Sequence, residues 1–441
     1  MDSTLAHPLS DEHRVHFERH ALPNGLRIVL HRDTTLPLVA VNLWYHVGSK
    51  LEQPGSTGYA HLLEHLMFQG SQNVGTNDHF RLVQKVGGTA NGSTWYDRTN
   101  YYEVLPSHHL DLGLWLESDR MGHFLPSVTQ EKLDNQREVV INERRQKIDN
   151  QPYGRGFERL HELLYGPAHP YRWPVIGYIE DLEQATLDTV CNFFERFYTP
   201  ANAVLTLAGD FEVDDALERI DRWFGDIPTA ERPAPLNPAP PQLDGEIREV
   251  LEDDIRLPRI YLGYNAPPFG DQGWYTGDLL ATAFSDGKSS LLYEDLVYRR
   301  QLAQDVGCYI LPTETTATFA VVSTAKPGVD PAELESALDE HLERAGESLE
   351  EHRVERAKQR LLTNHHDHLQ LLDRRADFLS HYTTFLDDPD RINNEPSMYQ
   401  KLTAGDTSTF ARNVLRRDRR VSLTLVPRAT DSTETPRGDK A

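Results

Sequence analysis

Residues 228 to 245 hold six prolines in no regular period, Pro228, Pro233, Pro235, Pro238, Pro240 and Pro241. Proline has no amide donor and a locked φ, so neither helix nor central strand can run through such a stretch. It reads as an extended, semi-rigid linker. On either side lie segments of similar length, each with strands first and helices after. Val39 to Val47 alternates as a half-buried strand should, and Arg259 to Asn265 plays that part in the second half. Ala203 to Ala208 and Val421 to Val426 close the two halves with equivalent strands. A shift of 230 places Ser290–Leu296 on Ala60–Leu66, and Glu355 to His365 echoes the helix-like stretch around Glu143. The expected fold is α+β, a duplicated domain in which helices cover a mixed or antiparallel sheet. The expected boundaries are 1–228, a linker over 229–245, a degenerate copy over 246–429, and a polar, disordered tail over 430–441.

The chemistry concentrates in His61-Leu62-Leu63-Glu64-His65. Two histidines four apart on a helix stand one turn above the other, so both imidazoles can reach one ion. Glu64, three after His61, shares that face and can hold a water beside the metal. The order His-x-x-Glu-His mirrors the zincin order and is the inverzincin signature. Glu143 follows in the helical stretch Asn135 to Arg145. Zinc in a hydrolase takes three protein ligands and leaves one position for water, whose pKa falls there to roughly 7. A nearby carboxylate takes that proton and passes it to the leaving amine. His61, His65 and Glu143 are therefore expected to hold one zinc per chain, with Glu64 as general base. The competing reading is an amphipathic helix with solvated histidines. In the second copy Leu291 replaces His61 and Asp295 replaces His65. A leucine cannot ligate zinc, so that copy is not a second active site.

The flanks carry a resemblance. Gly58 to Ser71 is similar to the zinc helix of the pitrilysin/insulysin family of metallopeptidases. The nearest match is its short-chain branch, which includes mitochondrial processing peptidase and bacterial relatives. Asn24 to Val29 resembles the family's opening strand, and Gly87 to Thr94 with Arg98 to Tyr102 its substrate-side strand. Arg137 to Glu143 resembles the third-ligand helix, whose final Glu binds zinc in the family. These motifs occur in the family's order, and the similarity covers nearly the whole chain. The resemblance implies a zinc endopeptidase acting on short or unfolded peptides, built as a clamshell whose second domain walls a chamber. It also implies a supporting role for Glu138, which sits about 140° around the helix from Glu143. The alternative for Glu138 is a surface carboxylate paired with Arg137 or Lys132.

An extended peptide can be fixed across such a site by joining a sheet edge as an extra strand. Thr89 to Thr94, small and polar, suits that edge, and the resemblance assigns Ala90 and Asn91 to substrate. The competing reading is a β-turn at Asn91-Gly92. One departure from the family pattern concerns the second half. Complete relatives carry an Arg and a Tyr seven apart there, thought to hold substrate and the developing oxyanion. Val297 and Gln304 stand in those places. The branch contains two-chain enzymes in which one subunit brings zinc and the other the Arg/Tyr pair. The expectation is a heterodimer with this chain as the zinc-bearing subunit; a homodimer using Tyr298, Arg299 or Arg300 is the alternative. A non-catalytic core-type subunit or a peptide-binding protein of the same fold is the other functional class.

A net charge of −23, with 68 acidic against 45 basic side chains, excludes nucleic acid as a partner. The acidity either attracts basic peptides or keeps the surface soluble at high salt. No stretch approaches 18 uninterrupted apolar residues, so no membrane partner is expected. The first residues are acidic and lack a signal-peptide pattern, which reads as cytoplasmic. Cys191 and Cys308 have no metal-ligand spacing and are expected as small core residues in a reducing compartment. Asn364 to His368, rich in histidine, is expected to be a solvated helix face.

Overall fold

The computed structural model describes residues 14–228 and 230–428. In the first half, β1 (Glu18–Ala21), β2 (Arg27–Arg32) and β3 (Leu38–Tyr45) lead into α1 (Tyr59–Leu66) and α2 (Asp78–Lys85). The hairpin β4 (Thr89–Thr94) and β5 (Thr99–Pro106) follows. Helices α3 (Leu110–His123), α4 (Gln130–Arg144), α5 (Gly156–Leu164), α6 (Ile179–Glu183) and α7 (Leu187–Phe197) precede β6 (Ala203–Gly209) and α8 (Val213–Phe224). Residues 230–243 run without helix or strand. The second half starts with β7 (Ile247–Asp253), β8 (Arg259–Ala266), α9 (Gln272–Ser285), a π-helical segment (Tyr293–Arg299) and β9 (Ala303–Ile310). It continues with β10 (Ala317–Ala325), α10 (Pro331–Glu347), α11 (Glu351–Leu369) and α12 (Leu372–Leu386). It ends on α13 (Arg391–Gln400), α14 (Ala404–Val414) and β11 (Arg420–Pro427).

Both sheets are wired alike. Their strand orders are β1-β2-β6-β3-β5-β4 and β7-β11-β8-β10-β9. The pairs β2/β6 and β7/β11 are parallel, and the other pairings are antiparallel. Setting β1 aside, the two orders correspond strand for strand, as a duplicated α+β domain requires. The helix correspondence differs from the shift of 230 expected above. The segment Tyr293–Arg299 lies just before β9, as α2 lies just before β4, so it matches α2 and not α1. The counterpart of α1 is α9, the first helix after β8. Unequal loops are the reason: residues 46–58 separate β3 from α1, whereas only residues 267–271 separate β8 from α9.

Each half lends one helix to the other. Helix α12 packs on β3 and β6 of the first sheet, and α5 packs on β8 and β11 of the second. Ala376 of α12 meets Ala40 and Ala208, side chains small enough for close approach of helix and sheet. In return Leu160 and Leu164 of α5 bury against Tyr261, Val421 and Leu423. The linker thus joins halves whose cores are interlocked. Two other expectations change. Cys308 is buried, but Cys191 is only partly so, on α7. His365 turns inward from the histidine-rich face of α11, its Nε2 2.9 Å from the Ile392 carbonyl oxygen. The tail over 430–441 lies outside the described residues.

A polar clasp crosses the same interface. Glu314, on the loop before β10, accepts hydrogen bonds from His46 (2.9 Å) and Lys50 of the first half. Burial opposes ionisation of Glu314, but these donors outweigh it and pull the carboxyl from 4.5 to about 2. A folded value below the unfolded one stabilises the fold above about pH 4.5, and that contribution is lost as pH falls toward 2. The gap corresponds to roughly 3 kcal/mol. Glu314→Gln is expected to be less stable than wild type at pH 7, with urea midpoints converging as pH falls to about 2. An equal difference at both pH values would contradict this account.

Candidate active site

Helix α1 begins where the chain allows no other residue. Gly58 has φ 84°, and a Cβ there would lie 2.7 Å from the Ile176 carbonyl oxygen. The buried helix start needs acceptors for its free amides. Glu52 supplies them, taking the Gly58 and Ala60 N–H groups at 2.8 and 2.9 Å. Burial pushes the Glu52 carboxyl up to about 8, with those two N–H groups pulling the other way. Leu62, Leu63 and Leu66 anchor the inner face of α1, leaving His61, Glu64 and His65 on the face toward α4 and β4. Helix α4 is capped by Thr129, whose side chain accepts the Lys132 N–H. Its far end is tied down by Arg144, which donates to the Gly177 carbonyl and to Glu158, both at 2.9 Å. Glu143, the residue before that anchor, is delivered to the histidines.

The three side chains meet. Glu143 Oε2 lies 3.2 Å from His65 Nε2 and 3.8 Å from His61 Nε2. Ligand atoms of all three fall within 4.8 Å of one another. Tetrahedral zinc needs its ligand atoms about 3.3 Å apart, so small rotations suffice. His61 Nδ1 and Glu143 Oε2 are buried with no hydrogen-bond partner. Such atoms are costly unless something else occupies them. The protonation states also suit a cation. Burial, helped by the neighbouring His65, lowers His61 to about 4, leaving a neutral imidazole. His65 pulls Glu143 down to about 2 against the cost of burial, and Lys147 adds to the pull. Two imidazoles and one carboxylate are a donor set that zinc accepts.

Glu64 stands beside this triad. Thr94 Oγ1 donates to Glu64 Oε2 at 2.5 Å. Burial raises the Glu64 pKa, opposed by Thr94 and the charges of His65 and Arg98. A carboxylate raised in this way is suited to accept a proton near neutral pH. These residues line a cleft of about 550 Å³. Its walls include Phe68 and Phe80, whose rings stack at 4.5 Å, and Lys147, which donates to Glu143 at 2.6 Å. Thr94, Phe68, Phe80 and Lys147 had no signal in the sequence, because their roles depend on which elements meet.

Residues 89–94 form an edge strand, so Asn91-Gly92 is not a turn. The turn lies at 95–98, closed by Trp95 N–H to the Arg98 carbonyl (2.8 Å). Counting back from that bond, alternate residues face β5, and the backbone groups of Ala90, Gly92 and Thr94 point outward. Asn91 lines the cleft, and its side-chain oxygen accepts the Gly92 N–H at 2.9 Å. Ala90 is half-buried against the core and does not line the cleft. Glu138 is exposed, outside the cleft, and no described residue pairs with it. Val297 packs on the second core, and Gln304 is exposed on β9. Arg299 and Arg300 are held by Glu294 and Glu340, whereas Tyr298 is exposed. His79, Glu103 and Glu117 form a second group of ligand-type side chains among the described residues. Arg120 already serves as their cation, donating to Glu117 at 2.9 Å and lying 2.6 Å from His79 Nδ1.

The fold and this site define a two-domain metallopeptidase architecture, and comparisons with known proteins agree. A family profile described as Insulinase (Peptidase family M16) matches residues 27–170, and one described as Peptidase M16 inactive domain matches residues 184–361. The chain is 29% identical to the Helicobacter pylori zinc protease PqqE over 327 residues, 73% of each chain. It is 25% identical to the Bacillus subtilis uncharacterized zinc protease YmxG, over 66% of this chain and 69% of that protein. A crystal structure of a protease from Helicobacter pylori superposes with a TM-score of 0.88 at 26% identity, covering 93% of this chain and all of that one. The chain belongs to peptidase family M16.

Proposed function

We propose that the chain is a zinc endopeptidase of extended peptides, working as the zinc-bearing subunit of a two-chain enzyme. The observation that carries this reading is the meeting of His61, His65 and Glu143 beside Glu64. His61, His65 and Glu143 hold the ion, which when bound supplies Lewis-acid polarisation of the scissile carbonyl and of water. Glu64, oriented by Thr94, accepts the proton of the attacking water and returns it to the leaving nitrogen. The outward backbone groups of Ala90 and Gly92 pair with the substrate as an added strand, a substrate carbonyl replacing the Asn91 side-chain oxygen on the Gly92 N–H, largely regardless of the substrate's sequence. The Phe68/Phe80 wall favours an apolar side chain near the scissile bond.

Val297 and Gln304 leave the chain without the cation and hydroxyl that its family resemblance leads one to expect opposite the metal. A partner of related sequence bearing Arg and Tyr at those positions supplies them. A non-catalytic peptide-binding role is the second reading, favoured by the same two substitutions. Metal analysis with a quenched-peptide assay, run with and without such a partner, separates these readings. About one zinc per chain is expected, with a rate gain of roughly 10²–10³ on adding the partner, the range for oxyanion donors. Full activity alone rejects the two-chain reading. Zinc binding without cleavage in either arm rejects the peptidase reading.

A further inference from the structure

The second half contributes no ligand to the metal triad, yet Glu314 reaches the hairpin that bears Thr94, directly through its backbone N–H and by its side chain through Lys50. Asp97 sits in the turn of that hairpin, 1% exposed. Lys50, 3% exposed, places its ammonium 2.8 Å from Asp97 Oδ1 and also on the Glu314 carboxylate. The Glu314 N–H lies 3.2 Å from Asp97 Oδ2 and 3.1 Å from the Tyr171 hydroxyl, which itself donates to Asp97 at 2.7 Å. Charges so far from water hold only if each has its partner, and losing one leaves the others uncompensated. The same turn is gripped along its backbone. Ser49 and Lys50 donate their N–H groups to the Trp95 and Tyr96 carbonyls at 3.2 and 2.8 Å. Gly48 packs so closely that a Cβ would lie 2.2 Å from the Trp95 oxygen. Thr94, adjoining this turn, is the donor that orients Glu64.

We propose that Glu314 is a positioning residue: through Lys50 and Asp97 it fixes the β4–β5 hairpin, and through Thr94 the Glu64 carboxylate. The proposal rests on the reading of Glu64 as the base. It gives the second half a part in hydrolysis that needs none of its own side chains at the metal. Docking of the two halves and alignment of the base then become one event.

Glu314→Ala and the near-isosteric Glu314→Gln test it in the full chain, assayed with the partner if one is required. Hydrogen exchange of residues 89–100 is expected to rise about tenfold in Glu314→Ala, with β2, β3 and β6 unchanged. The kcat is expected to fall about tenfold with KM within twofold and zinc content unchanged. Glu314→Gln, which keeps an acceptor oxygen for Lys50, is expected to lie between wild type and Glu314→Ala; if the alanine variant does not fold, the glutamine variant decides by the same two readings. Wild-type hairpin exchange, or unchanged kcat alongside loosened exchange, overturns the proposal. If the wild-type protein proves to be no peptidase, hairpin exchange still reports whether Glu314 holds the turn.

Discussion

Glu64→Gln is expected to lower peptide turnover roughly 10²–10⁴-fold, the range that a positioned general base contributes. Glutamine keeps the shape of the side chain and an oxygen for the Thr94 hydroxyl, which lies 2.5 Å away in the wild type. It cannot take up a proton. Because Glu64 lies beside the triad and is not a member of it, zinc content is expected to stay at the wild-type level. Peptide affinity is expected to change little, since the strand edge and aromatic wall are untouched. Metal analysis and a quenched-peptide assay on one preparation check both halves of this statement. Cleavage at the wild-type rate would remove Glu64 from the role of base, and loss of zinc would make it a ligand.

Glu143→Ala is expected to lose the metal itself. The carboxylate is the sole acidic member of the triad and carries the negative charge that offsets a divalent cation. Removing an outer-shell partner costs 10–100-fold in metal affinity, so loss of the carboxylate should cost at least about 100-fold. A thousandfold excess of zinc over its dissociation constant stabilises a fold by about 4 kcal/mol, and at the same zinc concentration Glu143→Ala should keep no more than about 1.4 kcal/mol of that gain. Glu138→Ala is the matched control on the same helix. Exposed and outside the cleft, Glu138 is expected to be replaceable with no change in zinc content or thermal shift. Wild-type zinc binding by Glu143→Ala, or loss of zinc from Glu138→Ala, would reverse the assignment of the third ligand.

The part of the site within one helix was readable from spacing, because helical geometry alone puts His61, Glu64 and His65 on one face. Glu143 was singled out as an acidic residue in a helical stretch and matched by the family resemblance, but nothing local in residues 66 to 142 says that α4 returns to α1. The duplication was legible at its strands, where alternation survives divergence. It failed at the helices, because loops of different length break any constant shift, so α9 and not Ser290–Leu296 matches α1. Asn91-Gly92 carries turn propensity, yet it lies within β4, where pairing with β5 overrides the local preference. His365 shows the same override, turned inward from a run that reads as polar.

By itself the sequence determined the elements, the duplicated order of strands and the chemical types available at the metal, all of which follow from interactions within a few residues. Only the tertiary structure decided that α5 and α12 change places, that Thr94 bonds to Glu64, and that Glu314 closes on Lys50 and Asp97. Those contacts join residues far apart in the chain. Their energy depends on burial and distance, which exist only once the halves have packed.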